Sequence, residues 1–326
     1  MVKPKVSILI PAFKSRWLDV AIASALSQSF SEIEIIVGDD SEGSVVESIT
    51  RKWEAPELRY FRNPTRGRNQ SNLLNLIKVA RGDYVKFLFD DDLLLPRSVE
   101  VLLRACEESG ADMAIHNRHI IDEDGVVLMS PALIEGSAGS IELTSDLFFR
   151  HLVNPALNDF GEPSNVMMRA SALRQLKEPF GLDDRKFRCL IDMANYANFY
   201  ASGLRVVGVG GFHSAFRIHG SQNSAIQSPV HAAGIYEWDY LRRWAVDRGF
   251  LSEGEFSDGQ PALIEKYREH LNLHPGFEDL LQCPVGRPYL SEAFLALIDR
   301  EDRMVDRARD LAVGIPHDES PHDSHS

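Results

Sequence analysis

Across the first 116 residues, short runs rich in β-branched side chains alternate with helical patterns, and that alternation restricts the chain to a parallel sheet joined by crossover helices. VSILI at 6–10, IEIIVG at 33–38, LRYF at 58–61, YVKFLF at 84–89 and DMAIH at 112–116 read as strands. Between the first two, Trp17, Leu18, Ala21, Ile22, Ala25 and Leu26 recur at three-to-four spacing and make one apolar helix face. Further helices are predicted over 45–53, 70–80 and 96–109, with Gly82 and Gly110 placed to stop the last two. After residue 116 the order loosens. Strands near 118–129, 164–168, 205–210 and 212–218 mix with helices near 170–176 and 189–202, which predicts an antiparallel addition to the sheet. From about residue 229 the pattern turns helical, with segments near 230–248, 260–271, 276–282 and 289–312, and the polar, proline-bearing end at 315–326 is expected to be disordered. The fold class is therefore α/β, a Rossmann-like, doubly wound and mostly parallel sheet with a small antiparallel addition and a helical C-terminal extension. At 326 residues and 44% hydrophobic content the chain can bury one large core with that annex.

In an open α/β sheet, ligands bind outside the carboxyl ends of the strands, so what each strand end carries decides the chemistry. The first strand ends in Pro11, Ala12 and Phe13, the second in Asp39, Asp40 and Ser41, and the fourth in Asp90, Asp91 and Asp92. A single Asp ahead of Pro96 would serve as a helix cap. Three adjacent acids repel one another unless a cation neutralises them, and carboxylates gathered at a sheet edge offer oxygen ligands to a hard divalent cation, which in turn holds a diphosphate. For Asp39 and Asp40 the alternative of a simple turn stays open, because Asp and Ser start turns readily.

A formal net charge of −13, with no basic block interleaved with aromatics, argues against nucleic acid as a partner. Three dispersed cysteines, Cys106, Cys189 and Cys283, form no C-x-x-C pair, so neither a disulfide framework nor a zinc site is indicated, and a cytoplasmic setting fits. No apolar run reaches spanning length, the N-terminal one being too short even for a signal segment, which leaves only peripheral membrane contact, at the inner face.

VSILIPAF, ALSQSF, EIIVGDDS, ARGDYVKFLFDDDLLLP, LIDMANYANFYASG and FRIHGSQNS together resemble the inverting family-2 type glycosyltransferases of the GT-A fold, in the nucleotide-diphospho-sugar transferase superfamily. The resemblance is strong over about 4–125, thinner to about 225, and does not reach the helical C-terminus. It implies a nucleotide-sugar-binding half at 1–116, an acceptor-binding and catalytic half of the same domain at 117–228, and an extension at 229–314. Implied chemistry is transfer of a sugar from a nucleoside-diphosphate sugar, UDP-linked, to the hydroxyl of a saccharide or glycoconjugate, with Mn²⁺ or Mg²⁺ as cofactor. Pro11, Phe13, Asp39, Asp40, Arg68 and Asp90 are the implied donor-nucleotide residues, with the Asp39–Asp40 pair at the base and ribose. Asp91 falls at the metal-coordinating position, with Asp92 and His219 as further ligands and Arg217 at the diphosphate. Two departures stand out: Lys14 replaces the family's Asn after the first strand, and FDDD replaces the commoner D-x-D-D.

The family's base is an acid at the start of a helix in the second half, usually in an E-D pair; here Ile191 stands at the first position and Asp192 at the second, so Asp192 is the implied base. A helix N-terminus lowers a carboxyl pKa, so useful basicity requires burial or neighbouring acids. An ordinary first-turn Asp is the alternative. Arg66, Gly67 and Arg68 are equally well a solvated loop. LRRWAV at 241–246 suggests the Q-x-x-R-W motif of processive synthases, but Tyr240 sits at the glutamine position; Trp238, Leu241 and Ala245 read as one face of an amphipathic helix, for packing, acceptor contact or a homodimer through the C-terminal helices. A silent sugar-nucleotide-binding protein and a sugar nucleotidyltransferase are the competing functions; the second wants a glycine-rich loop that PAFKSRW lacks.

Overall fold

The computed structural model describes residues 3–65, 69–136 and 139–312. The first half runs β1 (Val6–Ala12), α1 (Leu18–Leu26), β2 (Ile33–Asp39), α2 (Val45–Thr50), β3 (Leu58–Arg62), α3 (Asn69–Val79), β4 (Tyr84–Phe87), β5 (Leu93–Leu94), α4 (Ser98–Ser109) and β6 (Met113–Ile121). There follow β7 (Val127–Met129), β8 (Ser140–Glu142), α5 (Ser145–Phe148), β9 (Val166–Arg169), α6 (Ala170–Gln175), β10 (Gly181–Leu182), β11 (Arg185–Lys186), α7 (Ile191–Ala201) and β12 (Val206–Arg217). Helices α8 (Pro229–Asp247), α9 (Glu253–His270), α10 (Phe277–Gln282) and α11 (Glu292–Ala312) complete it.

The main sheet has the order β3-β2-β1-β4-β9-β6-β12-β5. Strands β3, β2, β1 and β4 are parallel, with Val6 opposite both Ile33 and Tyr84. The antiparallel addition sits in the interior of the sheet, where β9 pairs antiparallel with both β4 and β6. It thereby separates β4 from β6, which have only the two-residue β5 between them as a strand in sequence. Both faces are covered: Val6, Ile8, Ile10, Val37 and Leu102 belong to one buried cluster, while Leu9, Ile36, Phe87 and the apolar sides of α3, α7 and the C-terminal helices form the other. Strands buried on both faces need continuous apolar runs, which is what made them legible.

Three differences from the sequence reading have physical causes. Strand β6 runs unbroken through 116, so the expected boundary between the two halves falls inside it. The segments 205–210 and 212–218 form one strand, bent by bulges around Phe212, where Gly211 has φ +90°, a left-handed conformation open to glycine. Helix α9 begins seven residues earlier than 260 and runs through Pro261. A capping box supplies its start, the Ser252 hydroxyl accepting from Glu255 N–H while the Glu255 carboxylate accepts from Ser252 N–H.

Helix α8 is not amphipathic. From Val230 to Val246 every residue but His231 is buried, including Arg242 and Arg243. Arg242 donates to Asn154 Oδ1, Gln260 Oε1 and the Phe256 carbonyl, and Arg243 to Asp239 and the Tyr289 carbonyl. The LRRWAV segment is packing within this chain. No helix among the described residues is long and apolar enough to cross a membrane. The expected disordered end, 315–326, lies outside the described residues.

Candidate active site

The carboxyl ends of β1, β2 and β4 and the N-terminal end of α7 enclose a cavity of about 310 Å³. Pro11, Phe13 and Lys14 line it from β1 and the turn after it, Asp40 from the end of β2, and Asp90 and Asp91 from the end of β4. Across from these stand Asn158, Glu162 and the segment Arg188–Asp192. Gly38 in β2 permits the close approach of α3 that brings Asn72 to this wall. A Cβ there would lie 2.6 Å from Asn72 Oδ1, and the Gly38 carbonyl accepts from Asn72 Nδ2 at 2.7 Å.

The three acids after β4 part company. Asp90 is buried, and its Oδ2 accepts from the backbone N–H groups of Phe13 and Lys14, each at 2.7 Å, which ties the end of β4 to the end of β1. Burial, helped by the charge of Asp91, pushes its pKa up to about 7 against the pull of those two donors. Asp91 faces the cavity and shares its Oδ2 with His219 Nε2 at 2.9 Å. His219 Nδ1 accepts from the Ser221 N–H, so Nε2 carries the proton and donates to Asp91. Asp92 lies outside the cavity wall: its oxygens accept from Ser164 Oγ at 2.6 Å and Arg217 N–H at 3.0 Å, and burial raises its pKa well above the carboxylate range. Lys86 Nζ, donating to the Ser164 carbonyl at 2.6 Å, completes the floor behind it, its pKa lowered to about 7 by burial.

Arg217 is spent on the same turn. Its Nε donates to the Asp91 carbonyl at 2.9 Å and its Nη1 to the Asp122 and Glu123 carbonyls, with the Trp17 ring 5.1 Å from the guanidinium. It braces the acidic turn from behind and does not line the cavity, nor does His219. At the end of β2 the pair also divides. Asp40 reaches the cavity and accepts from Asn63 Nδ2 at 2.6 Å. Asp39 is fully buried and turned away, its carboxylate taken by Ser41 N–H, Ser41 Oγ, Tyr60 OH and Arg62. The sequence reading placed Asp39, Asp92, Arg217 and His219 on the ligand; none of these four lines the cavity, whereas Asp40, Asp90 and Asp91 do. Arg68 lies outside the described residues.

Asp192 occupies the first turn of α7, 7% exposed, with Oδ1 accepting from Met193 N–H at 2.8 Å and Oδ2 from Asn158 Nδ2 at 2.7 Å. Burial drives its pKa up to about 6, with Glu162 adding to the rise, and outweighs both hydrogen bonds. Glu162 is itself paired with Arg118 at 2.6 Å. Sequence reasoning missed Asn158, Glu162, Arg188 and, behind them, Glu237. The Glu237 carboxylate, 2% exposed on α8, accepts from the consecutive N–H groups of Arg188, Cys189 and Leu190, which fixes the cavity wall just ahead of Asp192. Two acids, Glu237 and Asp239, inside the otherwise apolar stretch IYEWDYL were the available signal. Arg309, reaching the cavity from α11, had none.

A divalent cation fits here only in part through protein ligands. Among the described residues no three His, Cys, Asp or Glu side chains are grouped to hold a metal. Asp91 with its His219 neighbour suits a site in which phosphate oxygens and water supply the remaining positions, the usual arrangement for Mg²⁺.

Residues 7–177 match the family described as Glycosyl transferase family 2. A GalNAc(5)-diNAcBac-PP-undecaprenol beta-1,3-glucosyltransferase of Campylobacter jejuni is 32% identical over 127 residues, 37% of this chain and 40% of that one. Succinoglycan biosynthesis protein ExoO of Rhizobium meliloti is 27% identical over 128 residues, 37% of this chain and 35% of that one. The chain thus spans well under half the length of these relatives. Among solved structures, S. aureus TarS 1–349 in complex with UDP-GlcNAc superposes with a TM-score of 0.52 at 17% identity, covering 95% of this chain and 92% of that one. Full-length similarity at such low identity shows a shared GT-A fold.

Proposed function

Since this chain belongs to glycosyltransferase family 2, we propose that it moves a sugar from a UDP-linked donor to an acceptor hydroxyl of a saccharide or glycoconjugate, with inversion at the anomeric carbon and with Mn²⁺ or Mg²⁺ bound. One observation carries this reading: a single cavity is walled on one side by Asp40, Asp90 and Asp91 and on the other by Asp192, a carboxylate whose pKa burial has raised to about 6. Such a group is ionised at neutral pH yet more basic than an exposed Asp, which suits a general base.

The acceptor hydroxyl gives its proton to Asp192 as its oxygen attacks the anomeric carbon from the face opposite the leaving diphosphate, so bond making and breaking are in line. Asn158 and the Met193 N–H hold the carboxylate in place. Phe13 and Asp40 border the nucleoside, and Asp90, held by two backbone donors, sets the geometry of the turn that presents Asp91. A cation on Asp91 would neutralise charge on the diphosphate. The apolar walls, Leu73, Phe89, Leu190 and Ile191 among them, keep water from competing with the acceptor.

The test is a thermal-shift panel of UDP and UDP-sugars with and without Mn²⁺, paired with turnover of the Asp192→Asn variant. Raised melting temperature with a UDP compound, and a variant that binds but does not transfer, is the expected result. Absence of any shift across the panel would overturn the donor reading, and turnover unchanged in the variant would overturn the base.

A further inference from the structure

Next to the donor cavity lies another of about 480 Å³, between the β10–β11 hairpin and the C-terminal helices, within the size range of ligand pockets. Arg188 stands on the wall of both. We propose that this second cavity is a subsite for an uncharged sugar unit of the acceptor, one that lies beyond the unit being glycosylated. The proposal rests on the transferase reading above.

Two features point to the ligand class. The first is Tyr240 on α8. Its side chain is 3% exposed, with Arg185 5.4 Å from the ring centroid and Phe187 edge-on at 5.6 Å, yet its hydroxyl has no hydrogen-bond partner among the described residues. A buried tyrosine ordinarily spends its hydroxyl, as Tyr236 does one turn earlier by donating to Asp302 Oδ1 at 2.8 Å. On the wall of the cavity, the Tyr240 hydroxyl is a donor and acceptor left for a guest. The second is charge. Four aspartates face three basic side chains around this cavity, so the wall nearly cancels and selects neither a phosphate nor a cation. The ions are also held rigid: Arg185 pairs with Asp299 and Asp302, and Arg188 with Asp302 at 2.9 Å and Asp306 at 2.7 Å. Carboxylates and guanidinium groups paired in this way set acceptors and donors side by side, and a neutral pyranose, whose hydroxyls both donate and accept, is the ligand that uses both kinds.

Saturation-transfer NMR on the full chain, with methyl β-glucoside, methyl N-acetyl-β-glucosaminide and inorganic phosphate as probes and UDP present throughout, tests the assignment. A glycoside should receive saturation, and phosphate should not compete with it. Tyr240→Phe removes a hydroxyl that no group among the described residues uses, so the fold should keep its melting temperature while glycoside affinity falls about five-fold, the size of one neutral hydrogen bond. Asp299→Asn, at a half-exposed site, should weaken the same signal. Equal glycoside signal in the wild type and both variants, no signal at all, or displacement by phosphate would each overturn the subsite. The UDP-induced thermal shift, measured in parallel, reads the donor cavity separately: its loss in the wild type sinks the transferase reading without deciding the second cavity.

Discussion

The end of β2 and the start of α7 both bury an aspartate, with opposite consequences. Asp39 is surrounded by a guanidinium, a phenol, a hydroxyl and an N–H, so its charge is answered inside the protein. Asp192 has an amide and one N–H but no cation paired with it among the described residues, and it opens on a cavity. A buried carboxylate with a cationic partner is a structural rivet; one without keeps a raised pKa, which is what a general base at Asp192 requires. Neither residue type nor burial separates the two. Only the partners do.

The comparison breaks first at Asp192. Replacement by Asn should cut transfer about a thousand-fold, the range for losing a general base, while UDP still raises the melting temperature; turnover and thermal shift together check this. The wild-type pH profile of kcat/KM should rise from acid with a midpoint near 6, because the free carboxylate must be ionised, and any residual activity of the variant should show no such step. Stability should run the other way. A folded-state pKa raised from 3.8 to about 6 means that burying this group is easiest when it is protonated; its contribution is full below about pH 4 and is lost as pH climbs through 6. At pH 7.5 the Asn variant should therefore melt above the wild type, by up to about 3 kcal/mol in unfolding free energy, and the gap should close below pH 4.

Asp39→Ala should do the reverse, costing about 3 kcal/mol in chemical denaturation, the lower end for breaking a buried pair because Arg62 is partly exposed. An Asp39 variant that folds as stably as the wild type and fails to bind UDP would transfer this residue from the rivets to the ligand contacts. Glu237→Ala should be intermediate. Freeing the N–H groups of 188–190 should cost about 2 kcal/mol of stability and lower kcat about ten-fold, with the UDP thermal shift unchanged and part of the loss recovered by Gln, which keeps one acceptor. Smallest is Arg217→Lys: a lysine reaches one of the carbonyls that the guanidinium spans, so the Asp91 turn should loosen and the metal-dependent part of the UDP shift should drop by about 1 kcal/mol.

How much of this was legible in the chain can be seen residue by residue. The strands of the parallel half announced themselves, because a strand buried on both faces has to be apolar at consecutive positions and Ile8, Leu9 and Ile10 leave no other reading. Asp90 and Asp91 were legible for the opposite reason, since charge at the end of such a strand is costly without a task. The start of α9 was not, because Gly259 and Pro261 look like breakers and the capping box at Ser252 that overrides them lies outside the apolar pattern. Helix α8 misled for a related reason: a sequence shows arginines, but whether Asn154, Gln260 and Asp239 come to meet them depends on chain far away.

By itself, then, the sequence determined the sheet, the edge at which ligands gather and the acids brought to that edge, all local consequences of periodicity and strand polarity. Tertiary structure alone decided which acid faces inward to a partner and which faces the cavity. Asp92 is claimed by Ser164 and Arg217, 72 and 125 residues away, and Asp192 is raised by burial that no neighbour in sequence supplies. The charge state of a carboxylate is set by the dielectric and donors within a few ångströms, and those are assembled only when the chain has folded.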